Sequence, residues 1–209
     1  MPSEPLSDER FEPETLSSER VYEGMVWDIR QERFRYGDGE IRREFMDHTG
    51  AVAVLALDDD GRVLLIRQYR HPIRHREWEL PAGLLDISGE DPLIGAQREL
   101  AEEVDLEAAQ WNVLIDFMTS PGGSNEALRV YLARGLAATA EAFARTDEEA
   151  DIETRWAELD EVVTAVMAGE VQNSILALGA LAARTARENG WAGLRPANAP
   201  WTRHPKLRS

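Results

Sequence analysis

The sequence predicts a mixed α/β sandwich preceded by a small antiparallel β lobe. Strand-like segments come first, one helical segment follows, and further strands and two helices complete the chain. This order is typical of a mixed sheet with helices packed on it. Hydrophobic residues make up 43% of the 209 residues, which is enough for one sizeable core. The sequence shows no internal repeat, so a repeat architecture is not expected.

The first part of the chain is predicted to form the β lobe. Residues 1–19 are rich in Ser, Glu and Pro, so we expect a mobile lead-in there. From Val21 the pattern becomes strand-like, and we assign the lobe to residues 20–48. Its strands are expected at residues 21–28, 31–36 and about 42–47, with a hairpin turn at residues 37–39.

Residues 49–189 are predicted to form the main α/β domain. Its first two strands, 51–57 and 62–69, read as a hairpin around an Asp-rich turn, and their near-continuous apolar runs indicate strands covered on both faces. Asp91 followed by Pro92 is a helix-start signal. The remaining elements are expected as a helix at 92–104, strands at 111–117, 127–133 and 152–157, helices at 160–167 and 173–188, and an irregular tail at 190–209.

Composition excludes several classes of function. The chain has 23 Lys and Arg against 39 Asp and Glu, a formal net charge of −16, whereas a nucleic-acid binder needs a basic face. It contains no cysteine, which removes disulfides, thiolate nucleophiles and Cys-based zinc sites. No apolar run approaches the roughly 18 residues of a membrane span, and the acidic N-terminus lacks the features of a signal peptide. We therefore expect a cytoplasmic protein without nucleic-acid or membrane partners.

Three carboxylates crowd one face of the first helix. Glu99 and Glu103 are i,i+4 neighbours, and Glu102 is i+3 from Glu99. Like charges at this spacing repel unless a cation lies among them, and hard oxygen ligands suit Mg²⁺ or Mn²⁺. The alternative is a solvated acidic helix face, with Arg98 offsetting Glu102 through an i,i+4 contact. The three glutamates by themselves leave both interpretations open.

The order of the surrounding residues resembles the Nudix box, in which Gly, five residues, Glu and seven residues lead to Arg-Glu-apolar-x-Glu-Glu-x-Gly-apolar. Here Gly83 is followed by Glu90, then seven residues, then the run Arg98-Glu99-Leu100-Ala101-Glu102-Glu103. Two positions depart from the pattern: six residues separate Gly83 from Glu90, and Asp105 stands in place of the late glycine. The extra residue falls in a loop, and Asp is among the better substitutes for glycine at a left-handed helix end.

The resemblance implies a Nudix-type α/β/α sandwich with a mixed sheet and a divalent-cation site. By position, Glu99, Glu103 and the Ala82 carbonyl are the implied metal ligands, and Glu102 would share or support them. Glu90 would hold the box together, and Arg98 would orient the carboxylates. Clustered divalent cations neutralise the charge of a pyrophosphate and make water nucleophilic, so the implied metal site is consistent with hydrolysis of a pyrophosphate.

Short sequence motifs on either side of the box resemble those of the ADP-ribose pyrophosphatase branch of this family. They are the run Arg67-Gln68-Tyr69-Arg70-His71-Pro72, the run Trp78-Glu79-Leu80-Pro81-Ala82-Gly83, and the later run Thr119-Ser120-Pro121-Gly122. In that branch an N-terminal antiparallel lobe builds a domain-swapped homodimer that completes each active site. The resemblance therefore implies a homodimer and places the runs Arg67–Arg70 and Ser120, Pro121 and Gly122 near substrate.

Candidate substrate ligands follow from the chemistry of phosphates and ribose. A guanidinium matches paired phosphate oxygens, which makes Arg70 the first candidate, with Arg43 and Arg67 behind it. Glu44 and Glu79 are candidates for ribose hydroxyls or for a metal-bound water. The alternative roles are structural: Arg67 as a strand-end residue, and each glutamate as a hydrogen-bond acceptor.

A general base is expected outside the box. In this branch it lies on a loop before a late strand, where Glu148 is the first choice and Glu149 the second; an exposed acidic loop is the alternative. The predicted activity is Mg²⁺-dependent hydrolysis of ADP-ribose to AMP and ribose 5-phosphate, with Mn²⁺ also possible. The alternatives are a Nudix pyrophosphatase for another nucleoside diphosphate sugar or a dinucleotide, and a nucleotide-sensing Nudix-like module that does not hydrolyse its ligand.

Overall fold

A computed structural model of the protein describes residues 5–141, 143 and 151–207. The chain divides into two compact units. The first unit comprises Met1–His48 with Ser120–Asn125, and the second comprises Thr49–Thr119 with Glu126–Ser209. Within the described part of the chain, no helix is both long enough and apolar enough to cross a lipid bilayer.

The first unit is built on a three-stranded antiparallel sheet. Its strands are β1 (Thr15–Tyr22), β2 (Asp28–Tyr36) and β3 (Gly39–Asp47), in the order β1-β2-β3. The segment 120–125 joins this sheet at β3, since the Met46 amide donates to the Gly123 carbonyl over 2.9 Å. The Asn125 side chain also donates to Asp47 over 2.9 Å. The predicted antiparallel lobe is therefore present in this unit.

The predicted position of the first strand, 21–28, is wrong. The strand β1 already begins at Thr15, inside the segment expected to be a lead-in, and residues 23–27 separate it from β2. Polar pairs across the ladder stabilise it: Ser18 donates to Glu32 over 2.8 Å, and Arg20 forms an ion pair with Asp28 over 3.2 Å. A strand held by polar cross-strand pairs lacks the apolar alternation on which the sequence prediction relied.

The second unit contains two sheets. A five-stranded mixed sheet has the order β11-β8-β9-β4-β7, in which only β4 and β9 run parallel. A three-stranded antiparallel sheet has the order β10-β5-β6. The elements are β4 (Ala51–Ala56), β5 (Arg62–Arg70), β6 (His75–Glu79), β7 (Ala82–Leu84), α1 (Pro92–Val104), β8 (Leu106–Met118), β9 (Ala127–Ala138), β10 (Glu153–Glu158), α2 (Leu159–Met167), α3 (Ser174–Glu188) and β11 (Arg195–Pro196).

Both strands of the predicted hairpin at 51–57 and 62–69 form, but their predicted pairing is wrong. β4 lies between β9 and β7, and β5 lies between β10 and β6. Within the described residues, ladder pairing between the two segments is limited to one isolated bridge, Leu57 to Val63. The turn itself is tight, because the Asp58 carboxylate accepts from the Arg62 amide over 2.8 Å and Gly61 takes a φ of +84°. Beyond the turn the two strands diverge, because each forms its hydrogen bonds with other strands.

The core lies on both faces of β4, whose six residues are all buried. Ala53 and Leu55 pack in one apolar cluster with residues of α2 and α3, such as Leu159 and Leu176. Val52 and its neighbours on the opposite face pack in a second cluster with residues of α1. Alternate side chains of one strand therefore meet helices on opposite sides of the sheet, which is the predicted α/β/α arrangement.

The helix α1 has the predicted ends, and both are capped. At its start the Asp91 carboxylate accepts from the Leu93 amide over 2.9 Å, and Pro92 is the first helical residue. At its end Asp105 adopts the left-handed conformation, with φ 55° and ψ 37°. The left-handed helix end that the Nudix pattern assigns to glycine is therefore formed here by aspartate.

The C-terminal tail closes over a buried ion pair. Arg129 is 2% exposed and donates to both oxygens of Asp116, over 2.7 and 2.9 Å. It also donates to the Ala199 carbonyl over 2.8 Å, and Trp201 covers its guanidinium at 4.6 Å. Burial raises the pKa of Asp116, but hydrogen bonds from Arg129 and Arg195 outweigh burial and hold that pKa below its usual value.

We expect Asp116→Asn to lower the free energy of unfolding by about 3 kcal/mol, because it leaves the Arg129 charge buried without a counter-charge. Urea unfolding at pH 7 measures this. The matched control is Glu188→Gln, which breaks an exposed i,i+4 pair with Arg184 and should cost less than about 1 kcal/mol. Equal effects of the two substitutions would contradict the role of the buried pair.

The effect of Asp116→Asn should also depend on pH. Because the folded-state pKa of Asp116 lies below its unfolded value, its carboxylate stabilises the fold above about pH 4. That contribution is lost as the pH falls through the folded-state pKa. The unfolding free energies of the variant and the parent protein should therefore differ by a constant amount from pH 7 to about pH 5 and converge in more acidic urea titrations.

Candidate functional site

A buried carboxylate joins α1 to the short strand β7. Glu103 is 5% exposed, and its Oε2 accepts a hydrogen bond from the Ala82 amide over 2.9 Å. Since Ala82 pairs with Ala53 of the buried strand β4, this bond ties the C-terminal part of the helix to the five-stranded sheet. A buried carboxylate must be paired or hydrogen-bonded, so this hydrogen bond fixes the position of the Glu103 side chain.

Gly83 allows a second carboxylate to approach the same strand. A Cβ atom at this position would lie 2.0 Å from both the carboxyl carbon and Oε1 of Glu99. No side chain fits there unless Glu99 moves. The glycine of the box is therefore required here because the Glu99 carboxylate approaches its Cα closely. Its backbone does not adopt a positive φ, so conformational freedom is not the reason.

Arg98 lies among the remaining carboxylates. Its guanidinium donates to both oxygens of Glu90, over 3.1 and 3.2 Å, and to Glu99 over 2.6 Å. It also contacts Glu102 over 3.0 Å, the i,i+4 contact that the sequence suggested as an alternative to a metal ion. The hydrogen bond with Glu90, the charge of Glu99 and the hydrogen bond with Glu102 raise the pKa of Arg98, although burial opposes them.

The donor set fits a divalent cation that also uses ligands from outside the protein. Among the described residues, no group of three or more acidic or histidine side chains is arranged to enclose a metal ion. The sequence-predicted donors Glu99, Glu103 and the Ala82 carbonyl are nevertheless all hard oxygens on neighbouring elements. Mg²⁺ is typically held by one or two carboxylates together with water and substrate phosphates, which is the kind of site this arrangement allows.

A second charged pair lies at the end of β5. The Glu79 side chain is 2% exposed and Arg70 donates to both of its oxygens, over 2.8 and 2.7 Å. Gln68 contacts the same carboxylate over 3.4 Å, a contribution that the sequence analysis missed. The i,i+2 spacing of Gln68 and Arg70 on one strand was the available signal, because alternate strand residues share a face. The structure thus gives Glu79 a role in orienting Arg70.

Arg67 is directed towards the start of β10. It forms an ion pair with Glu153 and lies over the Trp78 ring at 4.9 Å. Its Nε atom is buried and has no hydrogen-bond partner among the residues that the structure describes. Glu153 follows the acidic stretch in sequence, so this pair fixes the chain where β10 begins.

The other candidates lie in the first unit or outside the described residues. Arg43 and Glu44 are exposed on β3; Arg43 donates to its neighbour's carbonyl over 2.9 Å, and Glu44 accepts from Gln31 over 2.9 Å. Ser120, Pro121 and Gly122 form a turn in which the Ser120 carbonyl accepts from the amides of residues 123 and 124. Glu148 and Glu149, the candidate bases, lie outside the described residues.

The chain is similar to known proteins over most of its length. A family model of the NUDIX domain matches residues 47–178. The ADP-ribose pyrophosphatase of Mycobacterium tuberculosis (strain ATCC 25618 / H37Rv) is 45% identical over 193 residues, 92% of each chain. The methanol dehydrogenase activator of Bacillus methanolicus is 34% identical over 165 residues, 78% of this chain and 88% of that protein. A crystal structure of an ADP compounds hydrolase gives a TM-score of 0.72 at 20% identity, covers 88% of this chain and 99% of that chain, and confirms the fold.

Gly83→Ala should weaken binding of a divalent cation, because the added methyl group displaces the Glu99 carboxylate. We expect the Kd for Mn²⁺, measured by electron paramagnetic resonance, to rise about tenfold or more. The control is Gly39→Ala, where a Cβ has no neighbour closer than 4.0 Å and φ is ordinary. An unchanged Mn²⁺ affinity in Gly83→Ala would show that Glu99 is not a ligand.

Proposed function

The chain belongs to the Nudix family and is a Nudix hydrolase, and on that premise we propose that it is a Mg²⁺-dependent ADP-ribose pyrophosphatase. The observation that carries the substrate assignment is 45% identity to an enzyme of that name over 92% of both chains. It is supported by a box that keeps all four glutamates of the pattern, Glu90, Glu99, Glu102 and Glu103, gathered around Arg98 and β7.

The proposed reaction is hydrolysis of the pyrophosphate bond. Water adds to one phosphorus, the P–O bond to the bridging oxygen breaks, and the bridging oxygen leaves on the other phosphate. The products are AMP and ribose 5-phosphate, and the proton released from water passes to a base. Such a transfer requires positioning and neutralisation of charge more than covalent participation of the protein.

Glu99, Glu103 and the Ala82 carbonyl would hold the cation, Mg²⁺ or Mn²⁺, and Glu102 would support it. When bound, the cation neutralises the phosphate oxygens and activates water. Glu103 is suited to this because its second oxygen is already fixed by the Ala82 amide. Arg98 keeps Glu99 and Glu102 in place without itself meeting the substrate.

Arg70 is the proposed phosphate ligand among the residues of β5. Glu79 orients its guanidinium from a buried position, while the Arg70 side chain remains 43% exposed. A guanidinium fixed in this way recognises a phosphate with less loss of side-chain freedom than a free arginine. Arg67, Arg43, Glu44, Ser120, Pro121 and Gly122 are also proposed as substrate ligands, each on the basis of the sequence resemblance.

For the proton acceptor we propose Glu148, with Glu149 as the alternative. The support is their place in the sequence, on the acidic stretch that precedes β10. A carboxylate there would accept the proton of the attacking water. Separate Gln substitutions of the two residues distinguish them, because only the base should be required for the rate of hydrolysis at saturating substrate.

We further propose that the protein acts as a homodimer in the cytoplasm. The end of β1 and the segment between β1 and β2 expose apolar side chains, with Tyr22, Met25, Val26 and Trp27 each at least 41% exposed. Exposed apolar groups in one segment are typical of a surface that a partner covers. Light scattering after size exclusion tests the proposal, and a monomer at micromolar concentration would contradict it.

Two other functions remain as outcomes of the test. Another nucleoside diphosphate sugar or a dinucleotide would use the same box and a different set of substrate contacts. A non-hydrolysing sensor would bind ADP-ribose without turnover, although sensors of this kind are expected to lack box carboxylates that are present here.

Product analysis with ADP-ribose tests the proposal directly. Purified protein is incubated with Mg²⁺ or with chelator, and the products are separated by chromatography. AMP and ribose 5-phosphate formed only with metal support it. Cleavage of another nucleoside diphosphate compound in place of ADP-ribose would overturn the substrate assignment, and a thermal shift by ADP-ribose without cleavage would support the sensor.

Glu103→Gln should reduce kcat about 100-fold or more and leave the fold intact. The amide oxygen of Gln can still accept from the Ala82 amide, so the substitution removes the charge while keeping this contact. Glu107→Gln, an exposed position just beyond α1, is the matched control and should retain activity. Full turnover in Glu103→Gln with an unchanged melting temperature would contradict the metal assignment.

A further inference from the structure

Gly95 lies near the start of α1 and is one of the buried residues of that helix. Its amide donates to the Asp91 carbonyl over 3.0 Å, as in any helix, and its φ is not positive. Glycine destabilises a helix interior relative to alanine, because more backbone freedom is lost on folding. The helix itself therefore gives no reason for glycine at this position.

The space beside Gly95 is occupied by a carboxylate. A Cβ atom at this position would lie 2.9 Å from Oε2 of Glu90 and 3.3 Å from Cδ2 of Leu85. Of the 15 glycines, all of which the structure describes, Gly83 and Gly95 are the two at which such a Cβ would have a carboxylate as its nearest neighbour. Each of these glycines makes room for a carboxylate that contacts Arg98.

The Glu90 carboxylate has little freedom to move away from Gly95. Its side chain is 9% exposed, and both of its oxygens accept from Arg98, over 3.1 and 3.2 Å. Its backbone is held by the turn in which the Glu90 amide donates to the Ile87 carbonyl over 3.1 Å. A bidentate pair of this kind is specific in its geometry. A methyl group at position 95 would therefore be accommodated at the expense of the pair between Glu90 and Arg98.

Gly95 begins the helix face that carries the carboxylates of the box. Arg98, Glu99 and Glu102 follow it at i+3, i+4 and i+7, and residues at these spacings share a face of a helix. Arg98 donates to Glu99 over 2.6 Å and to Glu102 over 3.0 Å while Glu90 holds it. The position of Glu90 against Gly95 therefore limits where the Arg98 guanidinium lies relative to Glu99.

We propose that Gly95 is a positioning residue of the metal site: without a side chain there, Glu90 lies against α1 and holds Arg98 with both oxygens, which keeps the Glu99 carboxylate available to a divalent cation. The inference rests on the proposed function, in which Glu99 is a metal ligand. Gly95 is among the seven residues between Glu90 and Arg98 for which the family pattern specifies no residue type. An arginine released from Glu90 would pair more fully with Glu99 and compete with the cation for its oxygens.

Gly95→Ala tests the proposal, and Gly179→Ala is the matched control. Gly179 is a buried glycine of α3 at which a Cβ would also lie 2.9 Å from its nearest neighbour, which is Cδ1 of Leu80. The two substitutions add the same group at the same distance, once against a carboxylate and once against an apolar side chain. We expect the Kd for Mn²⁺, measured by electron paramagnetic resonance, to rise about tenfold in Gly95→Ala and less than about twofold in Gly179→Ala.

A second background removes the carboxylate and leaves the space. In Glu90→Ala the nearest obstacle to a side chain at position 95 is absent, so alanine there should favour the helix. We expect Gly95→Ala to lower the urea midpoint of the metal-free parent protein and to raise that of metal-free Glu90→Ala. The Kd for Mn²⁺ should already be raised in Glu90→Ala, and adding Gly95→Ala should change it less than about twofold.

Three results would overturn the proposal. One is an unchanged Kd for Mn²⁺ in Gly95→Ala. Another is an equal rise of the Kd in Gly95→Ala and Gly179→Ala, which would assign the effect to packing in general. The third is a cycle in which the effects of Gly95→Ala and Glu90→Ala add, because additive effects mean that the two residues do not act together.

These measurements use no nucleotide, so they separate this inference from the proposed function. If the parent protein binds Mn²⁺ but does not cleave ADP-ribose, the substrate assignment fails, and the positioning role is still decided by the Mn²⁺ affinities and the urea midpoints. If the parent cleaves ADP-ribose and Gly95→Ala binds Mn²⁺ as tightly as the parent does, the proposed function stands and the positioning role fails.

Discussion

The buried carboxylate of Glu103 is the constraint on which the site depends. A charge with so little solvent exposure is tolerated only when its oxygens are satisfied, and the Ala82 amide satisfies one of them. That bond brings α1 against β7, and β7 is paired with the buried strand β4. The close approach of Glu99 to Gly83 follows from the same alignment, because Glu99 lies one turn before Glu103. The core on both faces of β4 then holds helix and strand in this register.

Arg98 resolves the repulsion that four carboxylates would otherwise create. It contacts Glu90, Glu99 and Glu102, and so the box is neutralised in part by the protein itself. Among the described residues, no three acidic or histidine side chains enclose a metal ion, although the predicted donors are hard oxygens on adjacent elements. A cation held by few protein ligands keeps sites for phosphate oxygens, which suits an ion that must engage a substrate. In the proposed function, a cation and a pyrophosphate would bind together at this site.

The elements that the sequence predicted well are those with local signals. The start of the helix α1 was predicted because Asp91 and Pro92 specify it within a few residues. The pairing of the strands was harder to predict. β4 and β5 are adjacent in the chain but lie in different sheets, because tertiary neighbours decide which strands pair. At the site, the box residues were found from their order, whereas the coupling of Arg70 to Glu79 depends on the β5–β6 register. Gln68 and Glu153 were missed because their contacts depend on how β5 pairs with β6 and with β10.

The loop before α1 shows how a departure from the family spacing leaves the chemistry intact. Six residues lie between Gly83 and Glu90, yet Glu90 still reaches Arg98 with both oxygens. The longer loop closes with a turn in which the Glu90 amide donates to the Ile87 carbonyl over 3.1 Å and Gly89 takes a φ of +80°. Asp91 then caps the start of α1 directly after Glu90, so the seven-residue spacing from Glu90 to Arg98 is the same as in the family pattern. The carboxylates of α1 therefore keep their register from the cap and from Glu103, and the length of the loop is free to vary.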